Sequence, residues 1–167
     1  MEVNEAKTLI AAMEALVNTR LKQYIYGTDD ETLASYLGKE LLRTESTIAF
    51  AESCTGGLAS SLVTDVPGSS EYLLGSAVTY SNMAKHKLIN VSEESLEAYG
   101  AVSWQVACEM AQGVRELFGT TYGVGITGIA GPGGATEDKP VGLVYMAVAD
   151  ADGVKWAKHI FWRYTYR

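Results

Sequence analysis

Apolar and polar residues along this chain repeat with two periods, and the switch between them outlines the fold. Across residues 5–24, Leu9, Met13, Leu16 and Leu21 fall close to one face of a helix, leaving Lys7, Glu14 and Arg20 for solvent. Gly27 breaks that pattern, and Thr28-Asp29-Asp30-Glu31 has the Thr-x-x-Glu form of a capping box. It predicts a second helix to about Leu42 that buries Leu33, Leu37 and Leu41. A short β-prone run, residues 47–51, then feeds Glu52-Ser53-Cys54-Thr55-Gly56-Gly57, and a helical pattern with Leu58, Leu62 and Val63 follows.

The rest of the chain repeats the strand-then-helix theme. Pro67-Gly68 marks a turn before a strand over residues 72–80, bulged or closely approached at Gly75. Ser81-Asn82 opens a short helix carrying Lys85, His86 and Lys87. Ser92 is a predicted N-cap, with Val91 and Leu96 spaced as a hydrophobic staple. Ser103 caps a longer helix whose buried stripe is Val106, Met110, Val114 and Leu117, and Gly119 stops it. A buried strand over residues 122–127 runs into the Gly-rich loop 128–134, followed by a polar stretch at residues 136–139. Strands over residues 141–149 and 154–161 pair as a hairpin around Asp152-Gly153. Strands that alternate with helices and end in a hairpin predict an α/β layered domain with a mixed sheet.

Composition narrows the partners. The 167 residues suffice for one domain with a sizeable core. A net charge of −7 without a Lys/Arg cluster argues against extended binding to nucleic acid. A single phosphate stays open, because backbone N–H groups hold one without net positive charge. No apolar run approaches the roughly 18–20 residues of a membrane span, so no membrane partner is expected. The N-terminus lacks a basic region followed by an apolar core, and two cysteines form no disulfide framework. A cytoplasmic location with reduced thiols is the expectation. Cys54, Cys108, His86 and His159 lack metal-ligand spacing, so neither a metal nor a cofactor is expected.

The candidate chemistry collects at strand ends. Three polar turns, residues 53–57, 80–85 and 127–134, each follow a predicted strand. If the strands are parallel neighbours, the turns meet at one sheet edge, where open α/β sheets bind ligands. Ser53 attacks a carbonyl carbon if a base takes its proton. Cys54 is the alternative nucleophile, since thiols near helix N-termini ionise more easily; a small buried side chain is its plainer reading. The histidines have no acidic partner that the sequence places, so Lys85 is the better candidate base. Its amine starts near pKa ~10.4 and must be lowered by burial; a solvated lysine beside Lys87 is the plainer reading. The second Gly-rich loop matches neither a dinucleotide fingerprint nor a Walker loop.

These pieces resemble the C-terminal domain of the CinA family, the nicotinamide-nucleotide amidohydrolases. The resemblance rests on residues 51–57, 66–70, 78–85, 100–103, 125–134 and 139–142, which come in the family's order. It implies a three-layer α/β/α sandwich spanning residues 28–167, with residues 1–27 as an N-terminal helix and connector. It also implies hydrolysis of the carboxamide of nicotinamide mononucleotide by a metal-free Ser–Lys mechanism. By position Ser53 is then the nucleophile, Lys85 its base, and Tyr80 assists or orients them. Backbone N–H groups near Thr55 and Gly56 would hold the oxyanion. Gly57, Ser81, Asn82, Thr127, Gly128, Gly131 and Gly133 would line the substrate site. Similar chains continue past the last strand with an Arg-containing segment and a further helix, whereas this sequence ends in Trp162-Arg163-Tyr164-Thr165-Tyr166-Arg167. A catalytically impaired nucleotide-binding or regulatory module is therefore the alternative. The apolar N-terminal helix and the aromatic tail raise the expectation of a homo-oligomer. A role in competence or DNA repair is suggested by the family's name and by no residue of this chain.

Overall fold

The computed structural model describes residues 3–161, which form two compact units meeting between Leu37 and Gly38. The first unit holds helix α1 (Val3–Leu21), a 3-10 turn (Lys22–Tyr24) and the start of α2 (Leu33–Arg43). No residue of α1 is buried, and Leu9, Met13 and Leu16 are all more than half exposed. The Thr28 N–H does reach Glu31 Oε2 at 3.3 Å, as the capping box predicts. The helix nevertheless begins at Leu33, because Asp29 adopts a positive φ of 53° that ends any helical path there. Thr32 and Ser35 provide the actual cap, each side-chain oxygen accepting from the other residue's N–H. Leu33 consequently stays exposed, Leu37 is half-buried, and burial on α2 goes to Gly38 and Leu41.

The second unit is an α/β domain around a five-stranded mixed sheet. Its strands are β1 (Ile48–Glu52), β2 (Leu73–Val78), β3 (Tyr122–Gly128), β4 (Leu143–Ala149) and β5 (Val154–Ile160). They lie in the order β2-β1-β3-β4-β5. β1 pairs in parallel with both β2 and β3, while β4 and β5 form the antiparallel hairpin. Asp150 Oδ1 closes that hairpin by accepting from the amides of Asp152 and Gly153. The three parallel strands therefore end side by side, and the polar turns after them share one edge.

Helices α3 (Leu58–Thr64), α4 (Asn82–Ile89), α5 (Glu93–Tyr99) and α6 (Trp104–Phe118) connect the strands. Ser81, Ser92 and Ser103 cap α4, α5 and α6 with their hydroxyls, so the sequence-predicted helix starts hold. Successive strand residues point to opposite faces. Ala49 and Ala51 accordingly pack on one face with Ile89, Val91, Leu96, Val106, Met110 and Val114 of the α4–α6 layer. Leu117 leaves the expected stripe half-exposed; Ala107 and Ala111 are buried instead, against Ala147 and Ala149 of β4.

α6 and β3 approach so closely that no Cβ fits between them at two places. An added Cβ on Gly123 would strike the Ala111 carbonyl, and one on Gly125 the Ala107 carbonyl. Gly125→Ala is expected to cost about 2–3 kcal/mol through overpacking, read as a melting-temperature drop of about 5 °C or more. Gly133→Ala, in the open loop where nothing lies within 4 Å, is the control and should stay within about 0.5 kcal/mol of wild type.

Candidate active site

β1 ends at Glu52 and is followed directly by Ser53, and alternation sends these two polar residues to opposite sides. Ser53 continues the ladder through its N–H, which donates to Ile126 O at 3.0 Å. Its side chain lies on the α4–α6 face. Lys85, one turn into α4, is fully buried there, and its Nζ sits 3.0 Å from Ser53 Oγ. The same nitrogen donates to Thr79 O at 2.7 Å and lies 3.4 Å from Tyr80 O. Both carbonyls belong to the residues just past the end of β2. Burial pushes the Lys85 amine below the ordinary lysine value, opposed by attraction to Cys54.

Cys54 is half-buried, and burial raises its thiol above the usual range. The pull of Lys85 and of the Cys54 and Thr55 amides is too weak to reverse that. The hydrogen bond of Lys85 Nζ goes to the Ser53 hydroxyl, and none joins it to the Cys54 thiol. The histidines stand apart from the pair: His86 Nδ1 is engaged by Val91 O at 2.9 Å, and His159 sits on the exposed strand β5.

Glu52, which the sequence reading passed over, occupies the other face. Its carboxylate is fully buried and accepts from Ala59 N at 3.0 Å and Ser60 N at 2.8 Å, at the start of α3. α3 must therefore lie on the face opposite α6. Burial pushes this carboxyl up, but the Thr55 hydroxyl and the Ser60 and Ala59 amides outweigh it and hold it below the usual value. Thr55 Oγ1 is buried without a hydrogen-bonding partner. A charged residue closing an otherwise apolar strand, in phase with Ile48 and Phe50, was the signal available for Glu52.

The remaining predicted residues divide into those at the dyad and those set back from it. Gly56 and Gly57 form the turn with positive φ of 62° and 99°, which non-glycine residues adopt rarely. Gly56 N–H is spent on Ser53 O at 3.1 Å, so it is not a free oxyanion donor. The amides of Cys54 and Thr55 have no oxygen acceptor among the described residues. Tyr80 brings its backbone carbonyl, while the residue as a whole is 69% exposed. The Ser81 hydroxyl is used as the α4 cap at 3.1 Å from Ala84 N, and Asn82 is exposed beside it. The buried Thr127 hydroxyl donates to Ala101 O at 2.8 Å. Gly128 closes β3 against Leu143 and Val144, Gly131 turns with a φ of 82°, and Gly133 lies in the open part of the loop. Thr79 went unnoticed in the sequence; its Oγ1 is fully buried and has no partner. A groove of about 390 Å³ runs beside Asn82, Met83, His86 and Leu96, and neither Ser53 nor Lys85 lines it. Among the described residues no group of three or more potential ligands could hold a metal, and no helix is long and apolar enough to cross a membrane.

The structure is that of an α/β protein in which a buried lysine is hydrogen-bonded to a serine at the C-terminal edge of the parallel strands. Comparison with known families matches the model of the CinA C-terminal domain to residues 30–164. A putative competence-damage inducible protein of Moorella thermoacetica is 53% identical over 156 residues, which is 93% of this chain and 38% of that protein. A protein of the same description from Clostridium acetobutylicum is 50% identical over 92% of this chain and 37% of its own length. The chain therefore spans little more than a third of these relatives. The competence/damage inducible protein CihA of Agrobacterium tumefaciens superposes with a TM-score of 0.76 at 38% identity, covering 82% of this chain and 84% of that one. A CinA superfamily structure from Escherichia coli gives 0.78 at 32% identity, over 89% and 88%. This chain belongs to the CinA C-terminal domain family.

The lowered pKa of Lys85 has a measurable consequence. Between its folded value and the unfolded ~10.4 the unfolded chain binds the extra proton, so native stability rises with pH across that window. The urea midpoint of wild type relative to Lys85→Met is expected to increase there. Burial raises the Tyr72 phenol, which works the opposite way above about 10, but both proteins contain it and it cancels in the difference. A flat difference would show that Lys85 keeps an ordinary pKa.

Proposed function

We propose that this chain hydrolyses the carboxamide of nicotinamide mononucleotide to nicotinate mononucleotide and ammonia. The observation that carries the chemistry is the 3.0 Å approach of Ser53 Oγ and a fully buried Lys85 Nζ. The choice of a pyridine mononucleotide draws on the likeness of the motifs to nicotinamide-nucleotide amidohydrolases.

The hydrogen-bond geometry accommodates a neutral lysine in the base role, and burial lowers its pKa in that direction. Thr79 O and Tyr80 O can only accept, so they take the two N–H groups of an uncharged amine. The lone pair then faces the Ser53 hydroxyl. Ser53 Oγ attacks the carboxamide carbon while Nζ takes its proton. The developing oxyanion is met by the amides of Cys54 and Thr55, which have no oxygen acceptor among the described residues. The lysine returns the proton to the leaving nitrogen, which departs as ammonia and leaves an ester on Ser53. Water, deprotonated by the same amine, attacks that ester; the amine hands the proton back to Ser53 Oγ as it leaves, and the acid product is released as its carboxylate. Tyr80 enters this scheme through its carbonyl, which orients the amine.

The exposure of Tyr80 is what favours the second reading, a nucleotide-binding module of the same family with impaired turnover. Calorimetry separates the two: binding of the mononucleotide without ammonia release selects the module. For the hydrolase, ammonia release should fall by on the order of 10³-fold or more in Ser53→Ala and in Lys85→Met. Undiminished release by Ser53→Ala ends the proposal. The kcat/KM profile should rise with pH as Lys85 loses its proton, with a midpoint below the ~10.4 of an ordinary lysine.

A further inference from the structure

We propose that Glu52 is a positioning residue: by anchoring the start of α3, its carboxylate holds the 53–57 turn in the shape that presents Ser53 and the Cys54 and Thr55 amides to the scissile group. This inference rests on the hydrolytic reading above for the identity of that group.

The turn has little of its own to define it. Its internal hydrogen bonds are Gly56 N–H to Ser53 O and Leu58 N–H to Thr55 O, and two of its residues are glycines. Its shape must come from its ends. One end is the sheet, where Glu52 O accepts from Thr79 N at 2.8 Å and Ser53 N donates to Ile126 O. The other is α3, where the Ala59 and Ser60 amides are both held by Glu52. A single residue thus ties the two ends together around the nucleophile.

A helix cap alone does not call for this arrangement. Caps are ordinarily local, from a Ser, Thr, Asp or Asn beside the first turn. Gly57 occupies that place and makes no side-chain cap bond. The cap comes instead from seven and eight residues back, as a buried carboxylate with no ion pair among the described residues. Burying an unpaired charge is costly, so a polar residue at 57 with an apolar one at 52 would cap α3 more cheaply. What the distant carboxylate adds is control of the segment between. Alternation also keeps it off the Lys85 face, where a carboxylate would pair with the amine and hold it protonated.

The test uses Glu52→Gln in the full chain, which keeps the shape but offers one acceptor to two amides. Three quantities are read: kcat and KM for ammonia release from nicotinamide mononucleotide, the labelling rate of Ser53 by a fluorophosphonate, and the melting temperature. Expected is a roughly 10–100-fold loss of kcat with KM within about threefold, and a parallel fall in labelling. Wild-type kcat and labelling in a folded but less stable Glu52→Gln would overturn the proposal and leave a plain cap. If that variant does not fold, Glu52→Asp decides, since it keeps the charge but cannot reach both amides; wild-type rates there overturn the proposal too. A wild-type protein that releases no ammonia yet labels at a Glu52-dependent rate rejects the amide substrate and sustains the positioning role. Absence of both ammonia release and labelling rejects both.

Discussion

A lysine amine taken wholly out of water needs hydrogen-bond acceptors more than it needs a counterion, and this domain supplies them from backbone. β2 stops at Val78, so the carbonyls of Thr79 and Tyr80 are released from the ladder and turned toward α4. The Ser81 cap then starts α4 at a fixed point, which puts Lys85 one turn along and facing inward. Had an acidic side chain supplied the contact, the charged form would have been favoured. Neutral carbonyls hold the amine while leaving burial free to lower its pKa. The place of the Ser53 hydroxyl follows, because Nζ has one direction left once both carbonyls are met.

The end of β1 solves a related problem of separation. Adjacent residues on a strand face opposite ways, so Glu52 and Ser53 serve two layers although they are neighbours in the chain. The carboxylate is satisfied by amides of α3 and the serine by the amine of α4. Each polar group is buried, and each meets a complementary partner on its own side, as buried polar groups must. β1 can carry this load because it is central among the parallel strands and buried along its whole length.

Small residues make the layers close enough for these contacts. Gly123 and Gly125 bring β3 against α6, and Gly113 brings α6 against the Ile89 carbonyl at the end of α4. Ala49, Ala51, Ala107 and Ala111 continue the same economy of volume. Interiors packed at this density tolerate little displacement, so the position of α4, and with it Lys85, is set by the glycine contacts as well as by its own cap.

Much of this was legible in the residues themselves, because it depends on short-range chemistry. Serine caps, the Asp150-to-Gly153 turn, the strand-helix alternation and the grouping of polar turns at strand ends are all local, and each formed as read. The start of α2 was misplaced because two capping sequences compete within eight residues and only a backbone angle at Asp29 separates them. Leu33 and Leu117 were misread as buried because a stripe on a helix does not say how far the neighbouring layer extends. At the site, the sequence alone determined which side chains could react and that they stood at strand ends. Tertiary structure alone decided that Lys85 is dry rather than solvated, that Gly56 N–H is already spent, that Tyr80 stays exposed, and that Glu52 belongs to the turn. Each depends on distances between segments that are tens of residues apart, and packing sets those distances where local periodicity cannot.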